Sequence, residues 1–96
     1  MSEPELESAS EARRIAAEAR DRARFEDEAL ALSDQVYRVA RRLVGSREEA
    51  EDLVQECLSR AIAGADTFRP DADLRVWLFR ILHNVHVSGL RRRIRA

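Results

Sequence analysis

Lysine is absent from this 96-residue chain, and the sequence has only one Cys, two Pro and three Gly. A single cysteine excludes a disulfide within the chain and is typical of a protein in a reducing cytoplasm, where we expect this one to reside. The apolar runs are only a few residues long, so we expect no membrane-spanning helix, and the polar, acidic first twenty residues indicate no signal peptide. So few helix breakers, with so much Ala, Glu, Arg and Leu, predict an all-α fold.

Acidic residues are absent from the last part of the chain. From Leu74 to Ala96 there are six arginines and no carboxylate, whereas residues 1–73 carry eleven arginines and all eighteen carboxylates, a net charge of −7. The helix dipole favours arginine near a C-terminus, but it does not account for an acid-free segment of this length. An all-arginine surface favours a polyanion such as nucleic acid, although a GC-rich coding bias explains the missing lysine equally well.

The spacing of apolar residues predicts a small bundle of three amphipathic helices. The first is expected to begin at Phe25 and to carry an apolar stripe as far as Leu43, with Gly45 as a left-handed cap. Ser46 and Glu49 then form a capping box, which predicts the start of the second helix. This helix should bury one face and end near Gly64.

The third helix is predicted after a loop that spans residues 65–73, because Pro70 disfavours helix before it and Asp71 and Asp73 are good N-caps. Gly89 is expected to weaken this helix near its end. Residues 1–24 are helix-prone but poor in large apolar groups, so they are a possible additional helix. We therefore predict an N-terminal extension over residues 1–24, frayed or loosely attached, and one domain over residues 25–96.

No enzyme signature is present, since the chain has no glycine-rich phosphate loop, no GxSxG and no HExxH. His83 and His86 have a spacing that can share a metal, but no third ligand is near them in the sequence. Cys57 belongs to the apolar face of the second helix and is expected to be a small core residue. We therefore predict no catalytic residue, no metal site and no cofactor.

Three of the five aromatic residues surround the predicted loop and the start of the basic helix, namely Phe68, Trp77 and Phe79. Aromatic rings interleaved with arginines suit single-stranded bases, which are bound by stacking and by phosphate neutralisation. Core packing is an equally good explanation for Trp77 and Phe79, whereas Phe68 lies in a polar loop and is expected to be exposed. Asn84 follows Arg80 by one turn, and an Asn amide is suited to reading a base edge.

The outward face of the second helix is acidic and polar. Its residues recur at helical spacing, namely Asp52, Gln55, Glu56 and Ser59. A solvated face is the default explanation for such a strip. It would repel DNA, so any partner that binds it should be a basic protein surface.

An ordered series of motifs resembles region 2 of bacterial sigma factors of the extracytoplasmic-function (group IV) type. The motifs are EAEDLVQE at 49–56, Arg60–Ala61, Phe68–Arg69, WLFRI at 77–81 and Asn84. The resemblance covers about residues 25–95.

This resemblance implies a domain that binds core RNA polymerase and that recognises and helps to melt the promoter −10 element. In the family, the acidic strip docks on the clamp helices of the largest polymerase subunit, which implies contacts at Asp52, Gln55, Glu56 and Ser59. The loop and the basic helix engage the non-template single strand and hold a flipped base, which implies DNA contacts at Phe68, Arg69, Arg75, Trp77, Arg80, Asn84, Ser88, Arg91 and Arg92. Phe68 and Asn84 match base-contacting positions, and Arg80 and residues 91–93 match phosphate-contacting positions.

The sequence departs from the family pattern at several positions. Ser88 stands where Asp or Asn is common, Ile62 where an aromatic residue is frequent, and Gly64 where Ala or Leu is usual. The chain also stops after region 2, so we expect an excised domain of a longer protein rather than a natural single-domain variant.

An anti-sigma factor is an expected regulatory partner. The alternative function is a sigma-like decoy that binds an anti-sigma factor without binding DNA, and the acid-free arginine segment favours the promoter-binding function over it.

Overall fold

Four α-helices, joined by short connections, account for most of the chain. The computed structural model describes the backbone of residues 3–95 and the side chains of residues 7–95. In order, the helices are α1 (Glu3–Ala31), α2 (Ser33–Leu43), α3 (Arg47–Ala63) and α4 (Leu74–Arg95), with a 3₁₀ turn (Ala65–Thr67) between α3 and α4. No strand occurs in the described residues, and the predicted all-α bundle with an additional N-terminal helix is confirmed.

The predicted start of a helix at Phe25 was wrong, because α1 continues through this position and ends at Ala31. The chain turns at Leu32, whose backbone lies at φ −91° and ψ 0°, and α2 begins at the next residue. The Leu32 amide donates to the Ala29 carbonyl at 3.1 Å, an i−3 hydrogen bond that tightens the turn. A one-residue break with nearly helical dihedrals leaves the apolar periodicity intact, so the sequence pattern alone could not reveal it.

The N-terminal part of α1 buries very little surface. Nearly all side chains from residue 7 to residue 24 are exposed, and Ile15 is 57% exposed. Phe25 is the first core residue. The molecule accordingly measures 63 × 29 × 23 Å, and the 29 residues of α1 account for roughly 43 Å of helix. The division between an extension over residues 1–24 and a domain over residues 25–96 stays a prediction.

α3 is the central helix, since it packs against α1, α2 and α4. Its buried face meets the apolar faces of the other helices in one core, formed by Phe25, Ala29, Val36, Ala40, Ala50, Leu53, Val54, Cys57, Ala61, Leu78, Leu82 and Val85. No polar or charged side chain is buried among the described residues. Hydrophobic packing alone therefore orients the helices, at about 1.5–3 kcal/mol for each large apolar side chain.

The connection between α2 and α3 runs extended and contains the predicted capping box. Ser46 is the N-cap, and its Oγ accepts from the Glu49 amide at 3.1 Å. In a capping box the Glu49 carboxylate should accept from the amide of the N-cap residue, Ser46. Here it accepts instead from the amide of the preceding residue, Gly45, at 3.2 Å. The left-handed conformation predicted for Gly45 was wrong, because no described glycine has a positive φ. Val44 and Ser46 are both extended, so the connection needs no left-handed residue.

α4 begins with an aspartate cap and continues to the end of the described chain. The Asp73 carboxylate accepts from the amides of Arg75 at 2.9 Å and Val76 at 3.3 Å, as expected for an N-cap. Gly89 was expected to weaken the helix, yet α4 is continuous through it to Arg95. Its buried residues lie on the face towards α3, which leaves the arginines outside.

Replacement of Gly89 by alanine is expected to stabilise the fold. A methyl group at Gly89 would meet nothing within 4 Å, and the backbone is helical there. Gly89→Ala should therefore raise the free energy of unfolding by about 0.5–1 kcal/mol, since alanine loses less backbone entropy on folding. Urea denaturation followed by circular dichroism measures this change.

The control is Gly64→Ala, whose methyl would lie 3.2 Å from the Arg60 carbonyl oxygen, so this variant should gain less stability than Gly89→Ala. Equal gains in the two variants would contradict the prediction.

Candidate nucleic-acid and protein interfaces

The exposed face of α4 is rich in basic and polar side chains, although Val76, Leu90 and Ile94 are exposed on this helix as well. The arginines of this helix are all exposed, as are His83 and Asn84. Arg80, Asn84 and Arg91 share one face, because they are separated by four and seven residues at 100° per residue. The helix is 22 residues long and contains no carboxylate. The sequence-predicted Arg75, Arg80, Asn84, Arg91 and Arg92 are thus all accessible, whereas Ser88 is half-buried.

The loop between α3 and α4 holds an aromatic cluster against the core. The expectation that Phe68 is exposed was wrong, because Phe68 is half-buried and packs on the core. Its ring centroid lies 5.1 Å from that of Trp77 and 5.6 Å from that of Phe25. The rings of Phe25 and Trp77 are 5.8 Å apart in an edge-to-face arrangement. Such geometries are favourable for aromatic pairs, which explains why a ring in a polar loop folds inward.

Phe79 and Arg69 lie near the same end of α4, one partly buried and the other exposed. Phe79 is half-buried against the core, and the Arg75 guanidinium lies 5.5 Å from its ring centroid. Arg69 is exposed in the loop. The structure therefore brings the rings of Phe68 and Trp77 into contact, and the exposed Arg69 follows Phe68 directly in the chain. Both rings are half-buried, so only part of each is accessible to a ligand.

The acidic strip on α3 faces solvent, as its spacing predicted. All four members are exposed, namely Asp52, Gln55, Glu56 and Ser59. Glu56 forms an ion pair with Arg60 at 2.8 Å on the same helix. Because both side chains are about half exposed, this pair contributes only about 0.3–0.5 kcal/mol and can be exchanged for an external partner.

A groove separates the acidic strip from the C-terminal part of α4. It has a volume of about 360 Å³, and its polar walls are Glu49, Asp52 and Glu56 on one side and His86, Arg92 and Arg93 on the other. The two candidate surfaces are therefore neighbours. Carboxylates across the groove reduce the positive potential at the end of α4.

Cys57 lies at the centre of the α3–α4 contact and is fully buried. Its Sγ donates to the Leu78 carbonyl oxygen at 3.4 Å. Desolvation raises the pKa of the thiol from 9.0 to about 11. A neutral, inaccessible thiol is a poor nucleophile, consistent with the predicted core role.

Neither a metal site nor a membrane span is found in the described part of the chain. No group of three or more His, Cys, Asp or Glu side chains is arranged there to hold a metal ion. None of the described helices is long and apolar enough to cross a membrane.

Comparison with known proteins relates these elements to a family. The profile of sigma-70 region 2 matches residues 30–96. The chain is 44% identical over 69 residues to the ECF RNA polymerase sigma factor EcfG of Rhodopseudomonas palustris, a match that covers 72% of this chain and 38% of that protein. It is 32% identical over 73 residues to the ECF RNA polymerase sigma factor SigW of Bacillus subtilis, which covers 76% of this chain and 39% of SigW. The chain belongs to the sigma-70 region 2 family.

A third relative is the ECF RNA polymerase sigma factor SigE of Mycolicibacterium smegmatis, 40% identical over 61 residues, which are 64% of this chain and 23% of SigE. The chain thus spans between 23% and 39% of the length of these three relatives. The similarity is to one part of each longer protein.

Sequence reasoning missed the contribution of α1 to this region. Phe25 contacts both other rings of the aromatic cluster, and the Arg22 guanidinium lies 3.9 Å from the Asp66 carboxylate in the loop. These partners are separated by more than forty residues in the chain. No local pattern signals such a contact, although Phe25 did stand out as the first large apolar residue after a polar segment.

Burial of Cys57 predicts slow modification and a stability change at high pH. Thiol-specific reagents should label the folded chain far more slowly than the urea-unfolded chain at pH 8. The folded pKa of about 11 lies above the ordinary 9.0, so this group's contribution to stability is fully present below pH 9 and is lost as the pH rises towards 11. Urea denaturation across this range measures the loss. A Cys57→Ala variant is the control and should lack this pH dependence; rapid labelling of the folded protein would contradict the burial.

Proposed function

We propose that this chain is the region 2 domain of an extracytoplasmic-function (group IV) sigma factor. It binds core RNA polymerase and recognises and helps to melt the promoter −10 element during transcription initiation. The observation that carries this proposal is the family match over residues 30–96, which includes both the acidic strip and the acid-free α4. The domain acts in the cytoplasm, without a cofactor and without chemistry of its own.

The DNA side of the proposal uses α4 and the loop before it. Asn84 is exposed on the arginine face and offers an amide to a base edge. The half-open rings of Phe68 and Trp77 supply a surface on which a base of the non-template strand can stack. The exposed Arg69, Arg75, Arg80, Arg91 and Arg92 neutralise phosphates. Ser88, although half-buried, is proposed to contact a neighbouring nucleotide. Extrusion of a base costs a few kcal/mol, which these contacts offset, so binding energy alone shifts the promoter towards the melted state.

The protein side of the proposal uses the acidic strip. Asp52, Gln55, Glu56 and Ser59 are exposed on one face of a helix whose opposite face is locked into the core. A basic surface on the clamp helices of the largest polymerase subunit complements this strip in charge. An anti-sigma factor that regulates the domain would compete for one of the two surfaces.

Asn84→Ala is expected to lower discrimination between single-stranded DNA oligonucleotides. The oligonucleotides carry varied −10 sequences, and fluorescence anisotropy across a salt series measures each dissociation constant. Loss of a base-edge contact should reduce the preference for the best sequence by about 1–3 kcal/mol. The matched control is His83→Ala, which removes an exposed neighbour on the same helix and should leave the preference unchanged.

The salt dependence separates base contacts from phosphate contacts. Arg91→Ala should weaken all sequences similarly and reduce the slope of log K against log salt by about one. A chain that binds no DNA at low salt and yet binds an anti-sigma domain tightly would instead be the decoy.

Asp52→Asn and Gln55→Ala are expected to weaken association with core RNA polymerase by roughly tenfold or more. Their DNA affinity should not fall, because the strip lies across the groove from α4. Asp34→Asn, an exposed carboxylate on α2, is the charge-matched control. Pull-down titrations with the core enzyme measure the effect. Simultaneous loss of polymerase and DNA binding would indicate misfolding, and unchanged polymerase binding would contradict the assigned surface.

A further inference from the structure

The loop between α3 and α4, residues 64–73, is here named the recognition loop, because the proposed base contacts depend on its position. Its hydrogen bonds are all local. The Thr67 amide donates to Gly64 O at 2.9 Å, the Phe68 amide to Ala65 O at 3.1 Å and the Ala72 amide to Arg69 O at 3.0 Å. The Thr67 hydroxyl also donates to Gly64 O at 2.7 Å. These bonds set the internal shape of the loop but not its orientation on the bundle.

The tertiary attachment of the recognition loop comes mainly from one ring. Phe68 packs between Phe25 of α1 and Trp77 of α4, at centroid distances of 5.6 and 5.1 Å. Ala65 is also partly buried against the core. The loop forms a further contact through the ion pair between Arg22 and Asp66 at 3.9 Å, whose side chains are 64% and 86% exposed. Water and salt screen such a pair strongly. Orientation of the loop therefore depends on the aromatic cluster.

Phe25 is the member of this cluster that no DNA contact requires. It is 9% exposed, and its ring lies 5.6 Å from that of Phe68 and 5.8 Å from that of Trp77. It also precedes the family match, which begins at residue 30. The ring thus belongs to the part of α1 that the family profile does not include, and it supports the two rings proposed to stack on a base.

Phe25 and Phe68 also border a groove at the surface of the molecule. This groove of about 800 Å³ runs between α1 and the recognition loop, with Phe25, Phe68 and Pro70 among its lining residues. Its α1 side carries the carboxylates of Glu18, Asp21 and Glu28 and the guanidinium groups of Arg22 and Arg24, so charges of both signs line it.

We propose that Phe25 is a positioning residue for promoter recognition. It acts through Phe68 and Trp77, holding the recognition loop in the one orientation in which base selection is possible. The inference rests on the proposed function of the loop and α4. It assigns to α1 a role mainly in sequence selectivity rather than in general DNA affinity. Four of the five proposed phosphate-binding arginines lie on α4, which is held by its own core contacts, and only Arg69 lies in the recognition loop.

The test compares the full chain with Phe25→Leu and with a remote core variant, Val36→Ala. Leucine keeps the site apolar but removes the contacts between aromatic rings, while Val36 is a 1% exposed core residue of α2 that contributes no ring to the cluster. Each protein is titrated with the single-stranded DNA selected from a randomised −10 pool and with its scrambled counterpart. Circular dichroism verifies that all three proteins are folded at the assay temperature.

Phe25→Leu should reduce the ratio of selected to scrambled affinity by roughly tenfold, the scale of two lost aromatic contacts. Its affinity for the scrambled strand and its salt slope should equal those of the parent. Trp77 is the single tryptophan of the chain, so acrylamide quenching of its fluorescence reports directly on the cluster and should rise in Phe25→Leu alone. Val36→Ala should keep both the ratio and the quenching of the parent.

Two results would overturn the inference, and they are distinguishable. If the parent selects its sequence and Phe25→Leu selects it equally well, or if Val36→Ala loses selectivity to the same extent, Phe25 has no positioning role. If the parent itself shows no selectivity, the proposed function fails and the inference fails with it.

Discussion

The packing of α4 on α3 around Cys57 and Leu78 is the contact on which both candidate surfaces depend. Both side chains are fully buried, and the Cys57 thiol donates a hydrogen bond to the backbone carbonyl oxygen of Leu78. Because this contact fixes the rotation of each helix about its axis, it turns the acidic strip of α3 and the arginines of α4 outward. The close-packed apolar core therefore fixes the position of the acidic strip of α3 relative to the arginines of α4.

Segregation of charge, rather than its total, describes the electrostatics of this domain. A net charge of −1 would suggest no particular partner. The chain nevertheless places its acids on α1, α2, α3 and the loop and keeps α4 free of them, so that a protein partner and a polyanion can be attracted to adjacent faces. The groove between Asp52 and Arg92 is where these opposite potentials meet. A partner that covers the acidic strip with positive charge would also strengthen the attraction of α4 for phosphate.

Local signals in the sequence were sufficient for the helix class, the capping box at Ser46 and the outward faces of α3 and α4. Periodicity and capping chemistry act over a few residues, so they can be detected in the sequence directly. The turn at Leu32 and the inward position of Phe68 could not be predicted, because each depends on tertiary contacts. The assignment of individual residues to DNA and polymerase came from family resemblance, and the geometry supplies their exposure but not their ligands.

The continuity of α4 through Gly89 makes this helix a fixed spacer. Arg80 and Arg91 are eleven residues apart on one face of an unbroken helix, which corresponds to roughly 17 Å along its axis. That distance matches about five nucleotide steps of a stacked strand. If DNA follows this helix, a phosphate bound by Arg91 would therefore lie about half a helical turn from a phosphate bound by Arg80. A flexible C-terminal segment would allow this distance to vary, whereas an unbroken helix keeps the two guanidinium groups in a fixed relation along one face.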